Sequence, residues 1–160
     1  LMMREVFVQS MQEHGGSVVN MTADFRNGMP GMGHSGAARA GMSNLTMSAA
    51  FEWAQAGVRV NAVAPGWVAS SGMDSYGGAV KAMIPRLREH VPLRRLATEA
   101  EISAAIVFLL SPGAAFITGV TLQIDGAASL GSPVFPTMEH ESSVAFEGFH
   151  RAQTPEALQP

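Results

Sequence analysis

Arg59–Ser70 reads RVNAVAPGWVAS, and the reading of this stretch decides the fold. Apolar residues alternate through Val58, Val60, Ala62 and Ala64, the pattern of a short buried strand. Pro65 removes a backbone donor and Gly66 permits a tight turn, so the strand ends there and the chain leaves as a loop. In open α/β sheets, ligands bind in the crevice at the carboxyl ends of the strands. A strand that closes on Pro-Gly, between a long helix and a polar loop, is therefore expected to form one wall of a ligand site.

Upstream, the first residues read as a helix, with Met2, Val6 and Met11 at helical spacing and Gly15-Gly16 as its stop. Ser17–Thr22 is a short strand, and the Gly- and Met-rich run 23–33 is a loop. Ser35 to about Gln55 reads as one long helix carrying Ala37, Ala38, Gly41, Leu45, Ala49 and Trp53 at helical spacing; His34 or Ser35 can cap it and Gly57 ends it. Downstream, Asp74–Gly78 is turn-rich, and Val80–Glu89 can form a helix that Pro85 breaks. Thr98–Leu110 is a helix opened by a capping box, Thr98 with Glu101, with Ile102, Ile106, Leu109 and Leu110 as its apolar side. Thr121–Ile124 is the last strand, and Asp125-Gly126 turns out of it.

Composition narrows the function classes. Of the 160 residues, 47% are hydrophobic and 14% charged, enough for one domain with a sizeable core. A net charge of −3 gives no electrostatic footprint for nucleic acid, and no nucleic-acid partner is expected. No apolar run approaches the ~20 residues of a membrane span. There is no cysteine, so disulfide and thiolate chemistry are excluded, and the five histidines show no metal-ligand spacing. No metal site is expected, and a cytoplasmic location is the default.

Three blocks, in order and correctly spaced, carry a resemblance: GGSVVNMT at Gly15–Thr22, VRVNAVAPGWV at Val58–Val68, and ITGVTLQIDGA at Ile117–Ala127. Over roughly residues 1–130 the chain resembles the short-chain dehydrogenase/reductase family. HSGAARAG at His34–Gly41 is most similar to peroxisomal trans-2-enoyl-CoA reductases and to bacterial proteins described as citronellol/citronellal dehydrogenases. The resemblance implies an α/β fold, the C-terminal half of a doubly wound parallel-sheet Rossmann fold without its N-terminal glycine-rich half. It also implies a bound NAD or NADP. The implied activity is hydride transfer to or from an enoyl-CoA or a terpenoid alcohol or aldehyde, with a homodimer or homotetramer packed through the long helix. Because the glycine-rich turn would lie upstream, this stretch alone is expected to be inactive. The alternative is a truncated or degenerate non-catalytic Rossmann-type binding module.

The site residues follow from the same resemblance. The family's Tyr-x-x-x-Lys signature maps onto Ser35 and Arg39. Arg39 keeps a positive charge and five donors that could hold ribose hydroxyls, although a guanidinium does not relay a proton. His34, beside Ser35 and about one turn from Arg39, is the remaining acid–base candidate. Where the family's strand end supplies a substrate-positioning serine, this chain has Thr22 followed by Ala23. Pro65 and Gly66 form the cofactor turn, Val68 maps onto the residue whose backbone bonds the carboxamide, and Ser70 takes the place of a threonine. Tyr76 and Lys81, the sole tyrosine and lysine, fall outside the signature.

Two further stretches carry expectations. Met73–Leu96 is the substrate-covering segment by resemblance. Its arginines Arg86, Arg88, Arg94 and Arg95 could meet a phosphorylated acyl carrier such as coenzyme A, or serve as a solvated face and structural pairs. Residues 131–160 read as a separate polar tail, mobile or partner-dependent, with Pro133, Pro136, Pro155 and Pro160 and an acidic-aromatic patch at His140, Glu141, Phe146 and Phe149.

Overall fold

The strand read from the quoted stretch is β2, Val58–Pro65, and it is buried almost end to end. Val60, Ala62, Val63 and Ala64 have no exposed surface, and neither has Asn61. The expected alternation gives way to continuous burial because β2 is the middle strand of a three-stranded sheet of order β1-β2-β5. The computed structural model describes residues 2–132, 134–148 and 153–159. The chain divides into two compact units: Leu1–Ala64 with Ala105–Gln123, and Pro65–Ala104 with Ile124–Pro160.

In the first unit the initial helix runs as α1 (Met2–Val6), a π-helical turn (Phe7–Met11) and α2 (Gln12–His14), and turns off at Gly15. Its inward stripe is Met3, Phe7 and Met11, packed on Ala49, Ala50, Val58 and Val60. Met2 and Val6, expected in that stripe, lie one position off it and are exposed. Phe7 also stacks on Trp53, with ring centroids 4.3 Å apart.

Strand β1 (Gly16–Met21) pairs in parallel with β2, from Gly16 opposite Val58 to Met21 opposite Val63. The last strand, β5 (Thr121–Ile124), flanks β2 on its other side. The Gly119 N–H donates to the Val60 carbonyl and the Ala62 N–H to that of Val120, so the bonds advance together along both segments. Two polar side chains in β2 are fully engaged. Arg59 donates to the carbonyls of Ile117 and Ser111, while Asn61 donates to Ile117 at 2.8 Å and accepts from the Val120 N–H. They tie β2 to the turn that feeds β5, and their burial costs little because each is paired.

Helix α3 spans Gly33–Trp53, continues as a 3-10 turn (Ala54–Ala56) and closes on Gly57 in the left-handed conformation. Its cap differs from the expectation. The N-cap is Met32, without a side-chain bond, and His34 and Ser35 are already inside the first turn. Its buried face differs too: Ser43, Thr46, Ala49 and Ala50 are buried, whereas Ala37, Ala38, Gly41 and Leu45 are exposed. Thr46 makes the polar face possible, since its hydroxyl donates to the Met42 carbonyl and accepts from the buried Asn20 amide at 2.9 Å. That pair fastens α3 to β1.

In the second unit, β3 (Val68–Ala69) pairs in parallel with β4 (Ala97–Thr98), a small sheet the sequence did not announce. Between them run a 3-10 turn (Ser71–Ser75), α4 (Gly78–Met83) and a second 3-10 helix (Ile84–His90). Pro85 marks the change from α to 3-10, as its missing N–H requires. Met73, Ile84, Leu87 and Leu96 form the core, with Ala157 and Leu158 packed against it. Helix α5 (Glu99–Leu110) opens with the expected box: the Thr98 N–H donates to the Glu101 carboxylate, and the Glu101 N–H to the Thr98 hydroxyl. Ile102 and Leu109 are buried, but Leu110 is exposed.

Residues 134–148, part of the stretch expected as a mobile or partner-dependent tail, are held by specific bonds. Arg95 donates to the Ser143 hydroxyl and the Val144 carbonyl, Thr98 to the Phe146 carbonyl, and the Phe146 N–H to Glu101. His140 bonds the Pro92 carbonyl at 2.8 Å. Phe149, Pro133 and Pro160 lie outside the described residues.

Candidate active site

Two groups of candidate residues emerge, one in each unit. In the first unit the guanidinium of Arg39 donates from Nη1 to the carbonyl of Met21 at 3.2 Å. This places it at the carboxyl end of β1. Ser35 and Arg39 are four residues apart on α3, share one helix face and are both half-buried. His34 is five residues from Arg39, which turns it about 140° around the helix axis, and it is exposed. The structure thus brings Ser35 and Arg39 together and leaves His34 on a different side of the same turn.

Thr22, the candidate hydroxyl at the strand end, is buried. It is 4% exposed, and its hydroxyl and N–H both donate to the Val63 carbonyl, at 2.9 and 2.8 Å. The N–H therefore extends the β1–β2 ladder by one residue, and the hydroxyl adds a second bond to the same carbonyl. This is a structural use, and a substrate contact through the hydroxyl proton would first have to break a buried bond.

In the second unit the Gly66 N–H donates to the Ile124 carbonyl at 3.0 Å. A Cβ built on Gly66 would stand 2.9 Å from both Cα and Cβ of Asp125, closer than packed atoms come. Glycine is required here by the backbone that approaches it. Beyond it, the Ala97 N–H donates to the Trp67 carbonyl while Val68 stands opposite Ala97. In a parallel ladder that arrangement engages Trp67 and Ala69 with Ala97. It leaves the N–H and carbonyl of Val68 on the edge facing away from β4, a donor and an acceptor side by side. Ser70 is half-buried and precedes the Ser71–Ser75 turn, and its hydroxyl makes no hydrogen bond among the described residues.

Two carboxylates hold this unit's loops. Asp125 accepts from the N–H groups of Ala127 and Ser129, both at 3.0 Å. Burial pushes its carboxyl up, but hydrogen bonds from Ser129 and Ala127 outweigh it and hold it below the usual range. Glu101 receives a two-pronged pair from Arg95 at 2.6 and 2.8 Å in addition to its cap bonds. There too burial raises the carboxyl, and the bonds from Arg95, Thr98 and Phe146 lower it further than burial raises it. Arg94 is equally committed: it donates to the Glu89 carbonyl and to Thr137, and pairs with Glu139. Arg86 pairs with Glu89 at 3.6 Å. Of the two readings of the arginine cluster, structural pairing describes Arg94 and Arg95.

The sequence reading missed the Asn20–Thr46 pair and the Arg95–Glu101–Phe146 network. The signal for the first was a polar pair in otherwise apolar surroundings. For the second it was the capping box, which named Glu101 but not its third partner. Among the described residues no group of metal-ligating side chains occurs, and no helix is long and apolar enough to cross a membrane.

Comparison with known proteins agrees with the three sequence blocks. The family model described as enoyl-(acyl carrier protein) reductase matches residues 1–129. A peroxisomal 2,4-dienoyl-CoA reductase of Pongo abelii is 34% identical over 132 residues, covering 81% of this chain and 45% of that protein. Among solved structures, a citronellol catabolism dehydrogenase of Pseudomonas aeruginosa PAO1 is 64% identical with a TM-score of 0.67, over 79% of this chain and 48% of that one. A structure from Agrobacterium tumefaciens with bound NADP is 29% identical with a TM-score of 0.70, over 80% and 53%. The chain spans about half the length of the curated relatives it matches.

Proposed function

The chain belongs to the short-chain dehydrogenase/reductase family, and from that premise we propose that it serves an NAD(P)-dependent reductase of enoyl thioesters. The observation that carries this reading is the Ser35–Arg39 pair: the family's acidic hydroxyl is absent, while a fixed cation remains at the carboxyl end of β1. An alcohol is a far weaker acid than a phenol, so Ser35 is a poor donor to a substrate carbonyl. Enoyl reduction makes the least use of such a donor, because the new C–H bonds form at carbon.

Each unit by itself carries groups that fit part of a dinucleotide. Arg39, anchored on Met21, has further N–H groups to donate to ribose hydroxyls. The unused N–H and carbonyl of Val68 match the two complementary groups of a carboxamide. Pro65 and Gly66 set the turn that presents them, and the Ser70 hydroxyl is available to a neighbouring oxygen. A nicotinamide held there would supply a hydride for the substrate's β-carbon. The protein must then manage the proton required at the α-carbon. His34 remains the acid–base candidate for it, exposed on the first turn of α3 although about 140° around the helix from Arg39.

Association with a second copy belongs to the same reading. It is supported by one exposed face of α3, where Met47 and Phe51, four residues apart, are 52% and 89% exposed. A second substrate class has its own support in the 64% identity to the citronellol catabolism dehydrogenase. The complete gene product should therefore be assayed with NADH and NADPH on a trans-2-enoyl thioester, and with NAD and NADP on citronellol. Turnover of the thioester is expected. Turnover of the alcohol alone moves the assignment to terpenoid oxidation, and loss of both leaves a non-catalytic binding module.

A further inference from the structure

The segment that follows Ser70 is made of two short helical pieces, Ser71–Ser75 and Gly78–Met83, joined by Tyr76 and Gly77. Gly78 stands at φ 56°, a conformation that strains other residues, yet a Cβ on Gly77 or Gly78 would meet nothing within 4 Å. The glycines are therefore not imposed by packing. They give the backbone freedom between the two pieces, as a hinge does. Distant residues of the same unit bridge this joint. The Glu156 N–H donates to Asp74 at 2.8 Å on one side of the glycines, and Lys81 donates to the Glu156 carboxylate at 3.0 Å on the other. The hydrogen bond and charge of Glu156 raise the Lys81 pKa, as expected of a lysine held against a carboxylate. Next to this contact, Pro155 is fully buried, and Ala157 and Leu158 pack on the core that includes Met73 and Ile84.

We propose that Gln153–Gln159 is a strap that holds the Ser71–Met83 hinge segment shut, with Glu156 as the clasp across the glycines and Leu158 as the apolar anchor. In the reading above, this segment covers the substrate, and the functional meaning of the strap rests on that reading. Glu156 and Leu158 are then positioning residues. They touch no substrate, and they set how often the cover opens.

The test is amide hydrogen exchange on the complete gene product, which needs neither a known substrate nor activity. Leu158→Asp should speed exchange at Met73 and Tyr76 by about tenfold, the scale of removing one apolar side chain from its contact. Glu156→Lys should speed it by about two- to threefold, because the Lys81 pair is exposed, and Lys81→Glu added to it should reverse the change. Leu158→Met should have no effect. Unchanged exchange at Met73 and Tyr76 in Leu158→Asp overturns the strap. So does an increase of equal size in β1 and β2, which would mark a general loss of stability. Failure of the enoyl reductase reading would appear in the turnover assay and leave these rates untouched.

Discussion

The turn at Pro65–Ser70 and the first turns of α3 hold the two groups of candidate residues, and they depart from the family's sequence pattern to different degrees. The turn keeps the family's residues or near equivalents, whereas α3 has Ser35 and Arg39 for tyrosine and lysine. The demands on the two places differ in kind. At Gly66 the requirement is steric, set by the backbone of Asp125, and at Val68 the useful groups are themselves backbone. Neither task can be passed to another side chain. At α3 the requirement is for particular side-chain chemistry, which can drift when the reaction asks less of it.

The turn is the first place to break this contrast. Gly66→Ala should destabilise the protein by about 3 kcal/mol, because the colliding atoms are the Asp125 Cα and the Cβ fixed to it, neither of which can swing away. Urea unfolding reads the change, and a tolerated alanine would remove the steric argument. At α3, Arg39→Ala should weaken dinucleotide binding roughly thirtyfold, the scale of hydrogen bonds from a charged donor. Arg39→Lys should recover most of the loss, and Val68→Ala should change affinity by less than about twofold if only its backbone is used.

Two smaller effects sharpen the same comparison away from the site. Glu101→Gln should cost about 1–2 kcal/mol, since it weakens the half-buried pair with Arg95 and leaves the cap and Phe146 bonds with a poorer acceptor. The pH dependence follows from the lowered carboxyl. A group whose pKa is depressed on folding contributes stability above its unfolded pKa and loses it as pH falls through the folded value. The wild type should therefore lose more stability than Glu101→Gln on acidification below the ordinary glutamate range, as measured by denaturation midpoints. Ala127 is a place where a backbone demand has not been met by glycine: it sits at φ 68°, in the left-handed region. Ala127→Gly should raise stability by about 0.5–1 kcal/mol, seen as a higher Tm.

Much of this was legible from residue order. Proline and glycine mark where strands and helices end, and Thr98 with Glu101 announces a helix start in its own spacing. What the sequence concealed were choices between faces and partners. Helix α3 buries Thr46 in place of Leu45 because Asn20 on β1 supplies the polar partner, a contact between residues 26 positions apart. Thr22 reads from its position either as a substrate hydroxyl or as a simple strand former, and the acceptor of its hydroxyl, the Val63 carbonyl, lies on a strand 41 positions away. The tail looked unstructured by composition, yet Arg95 and Glu101 hold it through main-chain groups, which no side-chain pattern reports.

The most direct measurement is a fluorescence titration of NADPH and NADH into the complete gene product, wild type beside Arg39→Ala and Arg39→Lys. Saturable binding that falls roughly thirtyfold in the alanine variant and returns in the lysine variant is the predicted result. Absence of binding to either dinucleotide, or binding indifferent to Arg39, would contradict the assignment of a cofactor to this site.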